Sequence, residues 1–480
     1  MDFFVSLILC HGLLLRHKVL IVDANLHEAY TLVDSRRASI LLVKINDIIK
    51  KNIYSPFLYC SLDVCGQLQT TIQFAVRNIA ASYYIQVGEI YYVREMLSVS
   101  DGTLIALDWA YSSALKQTQR HQPVSACDDL GEDNGIPIIV LHHGLCGDSS
   151  SEHIVLLARK FLTCKITKFR VVVVVMRGCG GIKLSSSNTM NGSRTGDIRA
   201  AVEHLKHKYP KSRLFGVGFS LGAAVILKYL GEEGNATALE AAVCVSPPWD
   251  GRKKGPYFPL WSVFLALPVK LYALRHRMML DKRLNLMSIL TARTLGEVDT
   301  LLALSYGFET VDEYYAACSP LALAANIMIP TLAISAMDDP VCSHHSVPLR
   351  QSTLQNTFET SHLPVSKNRG EGIKNVAFCL TSEQSSGSKT IDTDKDIDAD
   401  LNIDDTGLST SLLGEDSQCG LVLLKTLLGG HLAFPSIYSS NDTDSDGGRF
   451  SFSFLTHMTN SWSDDITYDW ILSFFPVQSS

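Results

Sequence analysis

From Arg170 to Met176 the chain reads RVVVVVM. Five consecutive β-branched residues suit an extended backbone better than a helix. The run shows no polar alternation, so both faces of the strand must be buried. That is the situation of a central strand in a parallel sheet with helices on either side. The neighbouring sequence fits this arrangement. PIIVLHH (137–143) reads as a short buried strand, and Glu152 to Phe161 has helical spacing. Thr195 to Tyr209 reads as an amphipathic helix stopped by Pro210, and RLFGVG (213–218) is the next strand. An alanine- and leucine-rich helix then runs to about Gly231, followed by the strand ALEAAVCVS. Strands alternating with helices predict the α/β class, with a mostly parallel central sheet.

Between Pro247 and Pro320 the strand pattern stops. An apolar run, Phe258 to Val269, is broken by Pro259 and Pro268 and followed by helical segments. IPTLAIS (329–335) then resumes the core pattern, so the excursion is expected to be an inserted helical lid. Upstream, YYVREMLSV and TLIALDWA flank Ser100-Asp101-Gly102 and predict a hairpin. Residues 366–418 are rich in Ser, Thr, Asp and Gly and cannot bury enough apolar surface to offset chain entropy. They are expected to form a disordered insertion. The predicted organisation has a hydrophobic leader or membrane anchor at 1–30 and an N-terminal extension with the hairpin at 31–125. The sheet core occupies 130–250, the lid 251–320, and the second part of the core, carrying the insertion, 326–480.

Of the 480 residues, 46% are hydrophobic and 19% charged, which is ample for a large core. A net charge of −6 gives no footprint for nucleic acid. The twelve cysteines are scattered, and Cys60 and Cys65 have the wrong spacing for a zinc or redox motif. Free, mostly buried thiols are expected. The apolar run Phe3 to Leu15 is short for a bilayer-spanning helix, and Arg16, His17 and Lys18 follow it rather than precede it. A marginal anchor and a buried leader are the two readings.

The chemistry centres on GFSLG, Gly218 to Gly222. In a nucleophile elbow a serine occupies a strained strand-to-helix turn, with glycines where strand and helix cross too closely for Cβ atoms. The pentapeptide alone is weak evidence, since a chain of this composition would contain one by chance about one time in five. Its setting, RLFGV before and LGAAVILKYL after, is what identifies Ser220 as the nucleophile. A serine also needs a base, an orienting acid and an oxyanion site. IPTLAIS ends in Ala336-Met337-Asp338-Asp339-Pro340, where the acid belongs; Asp339 is favoured and Asp338 is the alternate. The base is expected at His431 in Gly429-Gly430-His431, after the strand-like LVLLKTLL. His344 and His345 follow the acid too closely to reach the serine. The loop Gly144-Leu145-Cys146-Gly147 after the first core strand suggests the amides of Leu145 and Leu221 as oxyanion donors.

No cofactor and no metal is expected. Asp442, Asp444, Asp446 and Gly447 match the first half of a calcium loop, but its last position is Ser453 rather than Glu. The acidic run Asp392 to Asp400 has no glycine. In the lid, the ridge Phe258 to Val269 lies between Arg252, Lys253, Lys254 and Arg275, His276, Arg277. Such a ridge suits an anionic lipid surface, and a helix packed on the core is the alternative. The spacing of His276 and Asp281 resembles an acyltransferase signature and is read as chance.

Taken together these runs resemble the AB hydrolase superfamily, family four. That family comprises membrane-associated ABHD-type lipid hydrolases, plant embryogenesis-associated relatives and fungal ethyl ester synthase/esterases. The likeness starts near residue 54 with YSPFLYC and GQLQT. It continues through YYVREMLSVSDG, LDWA, HGLCG, MRGCGG, GDIRAAVEHLKHKYP and LFGVGFSLGAAVILKYLGEEG. Further on it includes ARTLGEVD, YGFETVDEYYAACSP, AMDDP and GGHLAF. It implies an α/β-hydrolase fold, with Ser220, Asp339 and His431 on the family triad. The implied activity is hydrolysis of phospholipids, monoacylglycerols or simple acyl esters of medium or long chain. It also implies a lipid or acyl-ester substrate, a membrane surface as further partner, and a membrane-associated location, with a cytoplasmic one as the alternative. Three departures stand out: 92 positions separate Asp339 from His431, more than in the family; Cys146 replaces a threonine; and no threonine-proline run follows Gly181. NVAFCLTS (375–382) resembles the family's last strand, interrupted before the histidine. Two other functions stay open, acyl transfer to an alcohol by the same triad and non-catalytic lipid binding.

Overall fold

The structure is a computed structural model that describes residues 27–31, 36–52, 62–113, 133–254, 258–280, 284–348, 419–426, 430–434 and 461–476. Phe3 to Leu15, the insertion at 366–418, NVAFCLTS, the calcium-like loop at Asp442 and Asp281 lie outside the described residues.

Nine strands form one sheet among the described residues: β1 (His27–Thr31), β2 (Ile90–Ser98), β3 (Leu104–Ser112), β4 (Ile138–His142), β5 (Arg170–Val175), β6 (Leu214–Phe219), β7 (Leu239–Val245), β8 (Thr331–Ala336) and β9 (Leu421–Thr426). Their order is β1-β9-β8-β7-β6-β4-β5-β3-β2. Every pairing from β5 to β9 is parallel, while β1 on β9, β2 on β3 and β3 on β5 are antiparallel.

The valine run behaves as its composition requires. Val171, Val173 and Val175 belong to one core cluster, and Val172 and Val174 to another. Alternate side chains of one strand therefore fill two separate apolar layers, one on each face. Full burial of such a side chain is worth about 2 kcal/mol.

The helices are α1 (Arg36–Lys51), α2 (Leu62–Gln86), α3 (Glu152–Leu162), α4 (Gly196–Lys208), α5 (Leu221–Glu233), α6 (Phe258–Arg275), α7 (Leu286–Thr291), α8 (Leu295–Ser305), α9 (Val311–Cys318) and α10 (Trp462–Leu472). The hairpin β2–β3 adds two strands to the sheet edge beside β5, and its turn closes where Gly102 adopts φ +75°. Buried Arg77 of α2 pairs with Asp464 of α10 at 2.8 Å, which binds the N-terminal helices to the C-terminal one. Arg177, in the MRGCGG run, pairs with Asp101 of the hairpin turn and with Asp197 of α4, fixing the loop after β5.

Helices α6 to α9 all lie in the connection between β7 and β8. The two prolines do not break α6. Pro259 sits in its first turn, where no N–H is needed, and Pro268 is accommodated inside. A small core of Ala266, Val269, Ala273, Ile289, Ala292, Val298 and Leu302 holds the insertion together, with Leu145 and Cys146 packed against it. No helix of the described residues is long and apolar enough to cross a membrane.

Candidate active site

The site is assembled at the carboxyl ends of β4, β6, β7, β8 and β9. Ser220 stands between β6 and α5 with φ 51° and ψ −120°, a conformation unfavourable for a residue with a Cβ. The turn holds because its neighbours over-determine it. The Ser220 N–H donates to Val245 O at 2.9 Å, and its carbonyl accepts from Ala223 and Ala224. A Cβ on Gly218 would meet Ala223 Cα at 2.7 Å, and one on Gly222 would meet His143 O at 2.4 Å. Both glycines are therefore required by contact.

Five non-glycine residues have positive φ among the described residues: Cys146, Ser220, Ser246, Leu432 and Phe434. They follow β4, β6, β7 and β9. Backbone strain is thus collected around one point of the sheet, as functional sites often do.

His431 Nε2 lies 2.9 Å from Ser220 Oγ, and His431 Nδ1 lies 2.9 Å from Asp339 Oδ2. An ionised carboxylate only accepts, so Nδ1 carries the proton toward Asp339. That tautomer leaves Nε2 to accept from the serine hydroxyl. The other Asp339 oxygen, Oδ1, accepts from the amides of Val341 and Cys342, each at 2.8 Å. The carboxylate is thereby fixed facing the imidazole.

Asp338 does something different. Its Oδ1 accepts from the Gly430 amide at 2.8 Å, bracing the loop that carries the histidine. Of the two candidate acids, the structure brings Asp339 to His431 and gives Asp338 to the backbone next to it.

The histidine loop is held from three sides. The His431 amide donates to Thr70 Oγ1 at 2.8 Å, and Thr70 lies on α2. Leu432 N donates to Ser246 Oγ at 3.3 Å, and Trp462 N donates to Phe434 O at 2.8 Å. A Cβ on Gly430 (φ +59°) would lie 2.6 Å from Thr70 Oγ1, and one on Gly66 would lie 1.6 Å from Asp338 O. Helix α2 is therefore pressed against both the acid loop and the histidine loop.

Sequence reasoning missed this role of α2. The signal was GQLQT (Gly66 to Thr70), where a glycine and a threonine one helical turn apart share a face.

The loop after β4 passes close to Ser220, since a Cβ on Gly144 would lie 3.4 Å from Ser220 Cβ. His143 fixes that loop. Its Nδ1 donates to Gly144 O at 2.7 Å, and its Nε2 accepts from Met176 N at 3.1 Å. Burial pushes His143 down to about 4 and His142 down to about 3, so both stay neutral. Leu145 follows Gly144, and Leu221 begins α5, whose first amides have no partner within the helix.

The rings of His344 and His345 lie tilted against each other, centroids 3.9 Å apart, in a short turn after Asp339. His276 Nε2 meets Gly178 O at 2.8 Å, where it anchors α6.

Asp339, Cys342 and His431 place one ligand-type atom each within 4.8 Å of one another. The donor set does not suit a metal. Both histidine nitrogens and both Asp339 oxygens are already engaged, and burial holds the Cys342 thiol protonated, well above the usual thiol range. Cys146, Cys164, Cys179, Cys244, Cys318, Cys342 and Cys419 are all free.

The family model for the alpha/beta hydrolase fold matches residues 137–362. The chain is 26% identical over 267 residues to phospholipase ABHD3 of Bos taurus, covering 54% of this chain and 61% of that protein. It is 30% identical over 226 residues to the monoacylglycerol lipase of Saccharomyces cerevisiae, covering 44% and 50%. It is also 26% identical over 349 residues to the medium-chain fatty acid ethyl ester synthase/esterase 2 of that yeast, covering 60% and 74%.

Sheet, elbow and family match define an α/β-hydrolase-fold protein. Within that class the chain is similar to the ABHD-type α/β hydrolases. The chain spans about 61% of the length of the bovine and mouse ABHD3 phospholipases.

Proposed function

We propose that the chain is a serine hydrolase that cleaves carboxylic esters of lipids or of medium- or long-chain acyl groups. The observation that carries this reading is the continuous relay from Asp339 through His431 to Ser220, with both contacts at 2.9 Å.

In this reading His431 Nε2 takes the hydroxyl proton as Ser220 Oγ attacks the ester carbonyl. Asp339 stabilises the imidazolium that forms. The amides of Leu145 and Leu221 receive the developing oxyanion, each on a backbone held in place before the substrate arrives. His431 then passes its proton to the leaving alcohol, and an acyl-enzyme remains on Ser220. Water activated by the same histidine releases the fatty acid.

The substrate class draws on the relatives, which are named as a phospholipase, a monoacylglycerol lipase and an ester synthase/esterase. The last name also supports acyl transfer to an alcohol in place of water as a second reading. Non-catalytic lipid binding has no comparable support, because His431 meets the serine despite the long path from Asp339.

The test is hydrolysis of a chain-length series of nitrophenyl esters and of monoacylglycerol, with ethanol added as competing acceptor. Turnover that disappears in Ser220→Ala and yields free acid supports the hydrolase. Predominant ethyl ester supports transfer, and no turnover by folded wild type overturns both.

A further inference from the structure

Apolar residues occur on every side of helix α6, with Lys270 and Arg275 its charged residues, a pattern close to that of helices that are buried all round or set in lipid. Only half of it is buried. Ser262, Ala266, Val269, Ala273 and His276 follow one another at helical spacing and face inward, three of them in the core of the insertion. On the opposite side Leu260, Phe264, Leu267, Leu271 and Leu274, continued by Met278 in the turn that follows the helix, form a second stripe, with exposures of 41% to 83%. Val263 and Met279 widen it, at 49% and 43% exposed. A continuous exposed apolar stripe of this length marks an interaction surface rather than scattered surface residues.

Its charge setting indicates the partner. Helix α6 contains no Asp or Glu. Residues 251–296 contain nine Lys and Arg and one acid, Asp281, in a chain whose net charge is −6. Lys253, Lys254, Arg275 and Arg277 are exposed at the two ends of the stripe. A second copy of the chain would bring the same cations face to face across a twofold contact. An anionic bilayer supplies both an apolar layer for the stripe and phosphate groups for the basic ends.

We propose that α6 lies in the plane of an anionic phospholipid surface, with Leu260, Phe264, Leu267, Leu271, Leu274 and Met278 immersed and the basic residues at headgroup level. The inward face of the insertion packs against Leu145 and Cys146, next to Ser220. Docking on α6 therefore sets the serine beside the layer that holds its substrate, a consequence that rests on the proposed hydrolase reading. The docking itself does not depend on catalysis.

The experiment is co-sedimentation of the full chain, carrying Ser220→Ala so that lipid is not consumed, with phosphatidylcholine vesicles alone or mixed with phosphatidylserine. Partition is expected to rise about tenfold with phosphatidylserine and to fall with salt. Phe264→Glu with Leu267→Glu, both exposed, is expected to abolish it. In the chain with Ser220 intact, the double substitution is expected to leave hydrolysis of a water-soluble short ester unchanged. Binding by the double variant equal to its parent would assign the contact to another segment and overturn the proposal. Failure of the parent to bind would overturn it as well, as would a dimer in solution that the two substitutions dissolve. Because vesicle binding is read without turnover, its failure is distinguishable from failure of the esterase reading.

Discussion

The main-chain amide of His431 is held by the side chain of Thr70, 361 positions earlier in the chain, at 2.8 Å. Thr70 Oγ1 donates its own proton to Gly66 O one turn back, so its lone pairs face the amide. The hydroxyl thus spans the gap between an N-terminal helix and the loop that presents the imidazole to Ser220.

Thr70→Val keeps the shape of the side chain and leaves the His431 amide without its acceptor. An unsatisfied buried amide costs about 1–3 kcal/mol, enough to loosen the loop while the fold persists. The expected result is a fall of about tenfold in kcat with KM nearly unchanged, restored by Thr70→Ser. Steady-state kinetics of the three proteins on one ester checks this. A kcat for Thr70→Val equal to wild type would remove the positioning role.

The two adjacent aspartates are separable. Asp339 faces the imidazole, so Asp339→Asn stabilises the wrong tautomer and is expected to lower kcat/KM by about 10⁴-fold. Asp338→Asn retains an oxygen for the Gly430 amide and is expected to cost less than about tenfold. The reverse order of effects would reassign the acid.

Much of this site can be read from residues alone, and the reason is local. The elbow, the acid after β8 and the histidine after β9 each sit at the end of a strand whose β-branched or aliphatic run is unmistakable. Each can be placed by its position in the strand-turn-helix order. Position favours Asp339 over Asp338 but does not by itself settle the choice. It depends on which carboxylate points at an imidazole brought in from a distant segment.

The N-terminal helices were not legible for a related reason. α1 and α2 carry no recognisable chemical motif, and their contribution is a set of long-range contacts: Thr70 to His431, Gly66 against Asp338, Arg77 to Asp464. The C-terminal helix α10 likewise gains its meaning from what it packs on. Nor did the sequence show that the valine run would be bordered by an antiparallel hairpin, since parallel and antiparallel neighbours bury a strand equally well.

His142 and His143 predict an acid-sensitive fold. Burial holds their folded-state values at about 3 and about 4, below the 6.5 of an exposed histidine. The unfolded chain therefore takes up protons first. The stabilisation is complete above pH 6.5 and drains as pH falls toward about 4, at a cost of about 2 kcal/mol per histidine by pH 5. Denaturation at a series of pH values is expected to show uptake of about two protons or more on unfolding between about pH 5 and 6. A flat stability profile across that interval would contradict the neutral buried pair.

The most direct test of the account is covalent labelling with a fluorophosphonate probe, followed by identification of the modified peptide. Such a probe reacts only with a serine whose hydroxyl is activated by its base. Labelling is expected at Ser220 in wild type, with none in Ser220→Ala and strong attenuation in His431→Ala. A folded wild-type protein that does not label, or one that labels at another residue, would contradict it.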